Sequence, residues 1–147
     1  MRPVLLCGLL LAMVWTQAAA IAQSGRIGQI KTAAGEVAVI RGGQRLPLKI
    51  GDPIYEKDIV ETGRDGSVGM TFIDNSVFSA GPESRLALDQ FQFDSSNFKG
   101  AMLADMQKGT LNVVSGDIAR SSPGNMKIKT PTAILGVRGT TFAVQVY

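Results

Sequence analysis

The sequence contains no histidine, one cysteine and one tryptophan, and aromatic residues make up only 6% of its 147 residues. The cysteine is Cys7 and the tryptophan is Trp15, so both lie close to the start of the chain. Beyond them the chain has neither a Ser-His or Cys-His nucleophile system nor the usual nitrogen and sulfur ligands of zinc. It cannot form a disulfide either, and packing alone must hold it.

Long apolar runs are also scarce, and the exception is Val4–Trp15. This run follows Met1-Arg2-Pro3 and is followed by small residues up to Ala22, which is the pattern of a secretory signal peptide. We predict cleavage after Ala22, or alternatively after Ala20. Residues 1–22 would then be the signal-peptide helix, and residues 23–147 would be one exported domain of ordinary size.

Two other interpretations of this segment are weaker. An uncleaved membrane anchor would need about 20 apolar residues, and the run is shorter than that. A lipoprotein would need its cysteine at the processing site, whereas Cys7 lies inside the apolar run. We therefore expect a periplasmic or secreted protein whose mature chain has no stable membrane insertion.

The charges are scattered along the chain. Its net charge is +3, and loss of Arg2 with the signal would leave 14 basic against 12 acidic side chains. No block of one sign suggests a nucleic-acid partner. No glycine-rich loop followed by lysine is present to bind phosphates, and we expect no cofactor.

Short apolar segments punctuated by turn residues fill the rest of the chain. The segment 36–41 alternates and stops at Gly42-Gly43, which predicts a hairpin into 44–48. The segment 67–73 is followed by Asp74-Asn75-Ser76, a second predicted turn, and then by 77–79. Strands at intervals of about 8–12 residues indicate an all-β fold.

Within the all-β class the pattern leaves the architecture open. Gly-Asp and Thr-Gly steps favour a β-helix or solenoid-like stack of short strands, although no strict repeat is present. A β-sandwich or barrel is the alternative. A helical turn competes at one place, Phe98–Gln107, where Met102, Leu103 and Met106 have helical spacing.

Carboxylates are the remaining candidates for chemistry. Asp52, Glu56, Asp58 and Glu61 lie within ten residues and could in principle serve acid–base catalysis or calcium binding. Their spacing does not match a calcium loop, and structural turn-capping is the preferred interpretation. The segment Ser96–Lys99 matches S-x-x-K, but its companion motifs are missing, so we interpret it as a polar loop.

The C-terminal block 130–144 predicts a strand, a glycine-punctuated bend and a second strand. In the second strand Phe142 and alternate residues after it share one face. Gly136 and Gly139 suit a bulge or a close approach of two backbones. Arg138 between them could anchor a carboxylate or carbonyl groups internally, or be presented to a partner.

The same block, T-P-x-A-x-x-G-V-R-G-T-x-F-x-V, resembles the closing motif of the FecR domain family. The stretches 51–54 and 58–63 resemble its opening, and 72–76 resembles its F-x-D-G-S hairpin. Lys57 and Asn75 stand where the family usually has glycine. The resemblance covers about Gly28–Val146. The residues that match the family motif are Gly51, Asp52, Asp58, Thr62, Gly63, Asp74, Ser76, Thr130, Pro131, Gly136, Arg138, Gly139, Thr140 and Phe142.

The resemblance implies an extracytoplasmic β-rich module, similar to a β-helix-like stack, that meets protein partners partly by strand addition. We therefore expect a stand-alone exported form of the domain, without catalytic or metal-binding residues. Our hypothesis is that it binds an envelope protein in sensing or signal transduction. The alternative is a structural module of the cell envelope, or one that binds glycans or surfaces.

Overall fold

The computed structural model describes residues 25–139 and 141–147. The predicted signal peptide and Thr140 lie outside these described residues. The described chain forms twelve strands and one short helix, which confirms the all-β prediction. The first seven strands are β1 (Gly28–Ala34), β2 (Val37–Arg41), β3 (Gln44–Pro47), β4 (Pro53–Ile54), β5 (Ile59–Thr62), β6 (Ser67–Phe72) and β7 (Val77–Ala80). The remaining elements are β8 (Arg85–Asp94), β9 (Lys99–Val114), α1 (Asp117–Ser121), β10 (Met126–Lys129), β11 (Ile134–Val137) and β12 (Thr141–Val146).

Two hairpins form where the turn residues predict them. Gly42 and Gly43 join β2 to β3 with φ values of +57° and +78°. These are the two left-handed positions of a type I′ turn, which matches the twist of the flanking strands. Asn75 adopts φ +66° between β6 and β7, because asparagine tolerates this region better than most residues.

The helical turn considered for Phe98–Gln107 is wrong, since this segment lies mostly in β9. Met102, Ala104 and Met106 are at most 2% exposed, while Leu103 and Asp105 between them are half-buried. That alternation has the period of a strand. β9 pairs with β8 over nine residue pairs and with β10 over four, and these ladders outweigh the local helix propensity.

The strands pair in the order β3-β2-β5-β8-β9-β7-β6-β1-β4, and β10, β11 and β12 branch from this path. Every ladder is antiparallel except that between β9 and β10. The result is a curled half-barrel sheet. Stacked solenoid coils would pair their strands in parallel, so the architecture lies nearer to the barrel alternative.

The core lies inside the curl of the sheet. Phe72 packs edge-on against Phe78 with ring centroids 4.8 Å apart, and its ring stacks on that of Phe91 at 5.7 Å. Both arrangements are favoured by the ring quadrupole. On the short helix, Ile118 and Ala119 are at most 1% exposed and belong to the same hydrophobic cluster. The core is therefore shared by both halves of the sheet.

Candidate functional site

Most of the polar residues matching the family motif hold turns together. Asp74 and Ser76 are both fully buried. One carboxylate oxygen of Asp74 accepts from the Ser76 amide at 3.0 Å, and the other accepts from the Ser76 hydroxyl at 2.7 Å. The hydroxyl of Ser76 in turn accepts from the Gly116 amide at 3.0 Å. This network ties the β6–β7 turn to the segment that starts α1.

Thr62 makes a second lock between two turns. Its hydroxyl donates to the Gly81 carbonyl at 2.7 Å and accepts from the Ser84 amide at 2.9 Å. The Ser84 hydroxyl continues the network to the Thr110 carbonyl at 3.2 Å. Gly63, the next residue, donates its amide to the Glu36 carbonyl at 2.9 Å. These contacts give both residues of the Thr-Gly step a structural role.

Asp58 is a buried carboxylate that accepts three hydrogen bonds, and it is 1% exposed. It accepts from Nε and Nη2 of Arg41 at 2.8 and 2.7 Å, and from the Tyr55 amide at 2.9 Å. The same guanidinium lies 4.6 Å from the centre of the Tyr55 ring. The hydrogen bonds that Arg41 donates to Asp58 raise the pKa of Arg41 above its usual value.

The other carboxylates considered for catalysis or calcium do not converge with Asp58. Asp52 follows Gly51, which has φ +91°, and accepts from the Lys49 amide at 2.9 Å. Glu56 accepts from the Phe91 amide at 2.8 Å. Glu61 forms an ion pair with Arg85 at 2.7 Å. Across the part of the chain that the structure describes, no three His, Cys, Asp or Glu residues are placed to hold a metal ion.

The closing motif is different, because it exposes apolar side chains. Thr130 and Pro131 lie in the turn between β10 and β11, where the Thr130 hydroxyl accepts from the Ala133 amide at 3.1 Å. In β11, Ile134 is 65% exposed and Leu135 is 40% exposed. The motif thus presents an apolar strand at the surface.

One side of β11 has no backbone partner among the described residues. β11 pairs with β10 alone, through the register Ile134 to Lys129 and Val137 to Met126. Gly136 faces open space, since no atom lies within 4 Å of the position a Cβ would take. The expected close backbone approach at Gly136 is therefore absent in the described structure. The unpaired side of β11, Ile134–Val137, is called the C-terminal edge below.

The sheet edges at β3 and β4 are protected in the usual ways. β3 carries Arg45 and ends in Pro47, and β4 is only two residues long and begins with Pro53. Charge, proline and shortness all discourage pairing with another chain. β11 contains neither a charged residue nor a proline, because its four residues are Ile, Leu, Gly and Val. The C-terminal edge is therefore left able to accept a strand.

A shallow hollow of about 190 Å³ lies beside this edge. Leu135, Val137 and Phe142 supply its apolar walls, and Arg138 stands at its margin. Phe142 packs partly against the core from β12, with Val144 buried on the same face, as the alternation predicts. The hollow is suited to one apolar side chain of a bound strand.

The surroundings of the C-terminal edge are basic. Lys127 and Lys129 are exposed on β10, opposite Gly136 and Ile134 of β11. Arg138 is exposed and forms no hydrogen bond or ion pair with another described residue. Anchoring of Arg138 to an internal carboxylate or carbonyl group is thus not seen among the described residues. Gly139 follows with φ +59°, a conformation that glycine adopts without strain.

Sequence reasoning missed the two lysines and the hollow. Lys127 and Lys129 alternate with buried Met126 and Ile128, and this signal was present in the sequence. Their register against β11 could not be read from the sequence, since it depends on which strands pair. Of the residues described, no helix has the length and apolar character to cross a membrane.

Fold and site together define an all-β module with a neutral, exposed strand edge flanked by cations. A model of the FecR family, described as FecR protein, matches residues 58–147, so the chain belongs to this family. The family suggests a module for sensing or signal transduction. A solved structure described as a "Cell surface anchoring domain" is 38% identical over 42% of this chain and 83% of its own, with a TM-score of 0.41. A search of curated proteins gives no match.

Proposed function

We propose that this protein is an exported, non-catalytic module that binds an extracytoplasmic protein. In the complex, a strand of the bound protein pairs with β11. Family membership and the predicted signal peptide support the location. The observation that carries the binding mode is the C-terminal edge, whose exposed residues are apolar and uncharged. Backbone hydrogen bonds would supply affinity, and side-chain pockets would supply specificity.

The charges define the partner's chemistry. A strand added to β11 would lie about 4.8 Å from it. Because Gly136 has no side chain, the Lys127 ammonium can extend across β11 toward that strand. An acidic side chain on the partner would meet it there, and an aliphatic one would enter the hollow beside Leu135 and Phe142. We therefore expect an extended segment that alternates aliphatic and acidic residues.

Site-specific photo-crosslinking in intact cells tests this proposal. A photoreactive amino acid replaces Ile134, and in a matched variant it replaces Ile50, which is 67% exposed in a loop outside the sheet. We expect a discrete protein adduct from position 134 only, mapping by mass spectrometry to an extended, acidic segment. A second change, Leu135→Glu, should suppress that adduct because it places a carboxylate at the apolar hollow.

Two outcomes would contradict the proposal. Equal adducts at positions 134 and 50 would mean that crosslinking reports exposure alone. Absence of any adduct at position 134, with the variant folded and exported, would mean that the C-terminal edge does not bind a protein in the cell.

A further inference from the structure

The last strand, β12, has one side without a backbone partner in the described part of the chain. It pairs only with β9, through an unbroken register from Thr141 opposite Val114 to Val146 opposite Gly109. Outside this ladder, its backbone forms no hydrogen bond with another described residue. The strand contains no charge, no proline and no bulge, which are the features that keep edges from pairing. The unpaired side of Thr141–Val146 is called the β12 edge below.

The sheet behind the β12 edge is uncharged over four strands. No Lys, Arg, Asp or Glu is present in β6, β7 or β12, or in residues 109–114 of β9. An interface between two identical copies brings each group near the two-fold axis close to its own duplicate. A charge there would face a like charge, which destabilises a strand pair. By contrast, two copies joined at β11 would bring Lys127 and Lys129 together with their duplicates.

The sequence of β12 suits antiparallel pairing with a second copy of itself. Residues directly opposite each other in an antiparallel pair lie on the same face of the sheet, so the two-fold axis must pass through a residue. With the axis at Val144, the opposite positions are 144 with 144, 143 with 145, 142 with 146, and 141 with 147. An axis at Ala143 would instead place Val146 opposite residue 140, which lies outside β12. The axis at Val144 therefore uses the whole strand.

This register joins apolar side chains that one copy leaves partly uncovered. Phe142 and Val146 are half-buried and pack against the core from its margin. With the axis at Val144, Phe142 of each copy lies opposite Val146 of the other. Pairs of an aromatic and a β-branched residue stabilise antiparallel sheets. The hydrophobic core of each copy would then continue into that of the other.

A hollow of about 290 Å³ lies at the end of β12. The turn between β10 and β11 forms one wall of this hollow, and its lining residues are Thr130, Pro131, Thr132, Gln145, Val146 and Tyr147. Because Phe142 of the second copy stands opposite Val146, its ring comes beside the hollow. Tyr147, which is 100% exposed in one copy, lies opposite Thr141 of the second. The two-fold axis repeats both contacts, so one interface covers two hollows.

We propose that this protein forms a homodimer in which the β12 edges of two copies pair antiparallel about Val144. The sheets of the two copies then form one continuous sheet. Seven paired residues give a contact about 24 Å long, which fits a weak, reversible dimer. The dimer does not rest on the binding proposed for the C-terminal edge, since it uses a different strand.

Sedimentation equilibrium of the purified protein, from about 5 to about 500 µM, tests for the dimer. The buffer contains a reductant, because Cys7 could otherwise link two copies through a disulfide. We expect a monomer–dimer equilibrium with a Kd of about 100 µM or tighter. Amide hydrogen exchange in β12 should slow as the protein concentration rises, whereas exchange in β3 should not change.

Two double variants test the register. Positions 143 and 145 are exposed and lie opposite each other across the axis. Ala143→Lys with Gln145→Lys places lysine against lysine twice, and it should weaken the dimer by at least about 10-fold. Ala143→Lys with Gln145→Glu places lysine against glutamate twice, and it should keep the Kd within about 3-fold.

A third variant controls for net charge. Gln44→Lys with Gln92→Lys adds the same two positive charges at exposed positions of β3 and β8. It should leave the Kd within about 3-fold of that of the unchanged protein. Far-UV circular dichroism shows that each variant keeps its fold.

Three results would overturn the proposal. A protein that stays monomeric up to about 500 µM does not form the dimer. A dimer that tolerates the two lysines at positions 143 and 145 is joined at another surface. Equal weakening by the lysine pair and by the lysine–glutamate pair, in folded variants, would exclude the axis at Val144.

Discussion

Asp58 illustrates how the motif residues of this chain contribute to the fold. Its carboxylate is buried, and three N–H groups from Arg41 and Tyr55 satisfy it. Arg41 itself is one-third exposed, so only one member of the pair has lost most of its contact with water. A buried ion that loses its partner is strongly destabilising, because its desolvation is no longer offset. The residue therefore marks a structural cross-link between β2 and the start of β5.

Removing the Arg41 guanidinium should show how strongly the buried Asp58 carboxylate depends on its partner. Arg41→Met keeps most of the apolar stem but leaves Asp58 with only the Tyr55 amide. We expect the free energy of unfolding to fall by about 3 kcal/mol, measured by urea denaturation followed by circular dichroism.

Arg45→Met is the matched control, since Arg45 pairs with Glu36 at 2.9 Å and both side chains are at least half exposed. Exposed pairs contribute less than about 1 kcal/mol. Equal losses in the Arg41 and Arg45 variants would show that burial of Asp58 does not set the effect.

At the scale of elements, β11 and β12 come from one motif but join the sheet at different places. β11 extends from β10, whereas β12 pairs with the last six residues of β9. β12 also has one side without a described partner, but its outward residues are Thr141, Ala143 and Gln145 rather than large apolar ones. Because β11 exposes larger apolar side chains than β12, β11 is the strand proposed to bind the partner.

The β2–β3 hairpin allows a test of turn chemistry. Gly42 has φ +57°, and a Cβ there would meet no atom within 4 Å. Gly42→Asn should raise the free energy of unfolding by about 0.5 kcal/mol, because asparagine tolerates this conformation and restricts the unfolded chain. Gly42→Val should lower it by roughly 1–2 kcal/mol, since a β-branched residue is strained there. Urea denaturation of the two variants and the unchanged protein measures both effects. A urea midpoint for Gly42→Asn below that of the unchanged protein would contradict the turn assignment.

Over the whole molecule, β9 connects the two parts of the sheet. Residues 102–105 of β9 lie between β8 and β10, and residues 111–114 lie between β7 and β12. Leu111 and Val113 are fully buried within it. With no disulfide available, opening β9 requires nearly the whole core to be disrupted.

Amide hydrogen exchange should therefore rank the strands. We expect the slowest exchange in β9 at the rate of global unfolding, and exchange faster by roughly 100-fold in the edge strands β3 and β11. Leu111→Ala should speed the β9 amides in parallel with its loss of global stability while leaving β3 nearly unchanged. Protection in β3 equal to that in β9 would refute a β9-centred core.

Local signals in the sequence were enough to determine the all-β class, the two hairpins and the alternation in the last strand. The reason is that turn chemistry at Gly42-Gly43 or Asp74–Ser76 and a period of two residues act over short stretches. The motif residues also sufficed to indicate the FecR family. The turn-capping interpretation of Asp52 and Asp58 followed from the same local chemistry.

Tertiary structure decided everything that depends on which strands meet. It made residues 99–107 a strand, because two neighbouring ladders outweigh helix propensity. It arranged the strands antiparallel in a curled sheet instead of as stacked coils. It also left β11 without a partner on one side among the described residues, and it placed Lys127 opposite Gly136. Strand pairing joins residues far apart in sequence, and the local pattern of a strand does not specify its partner.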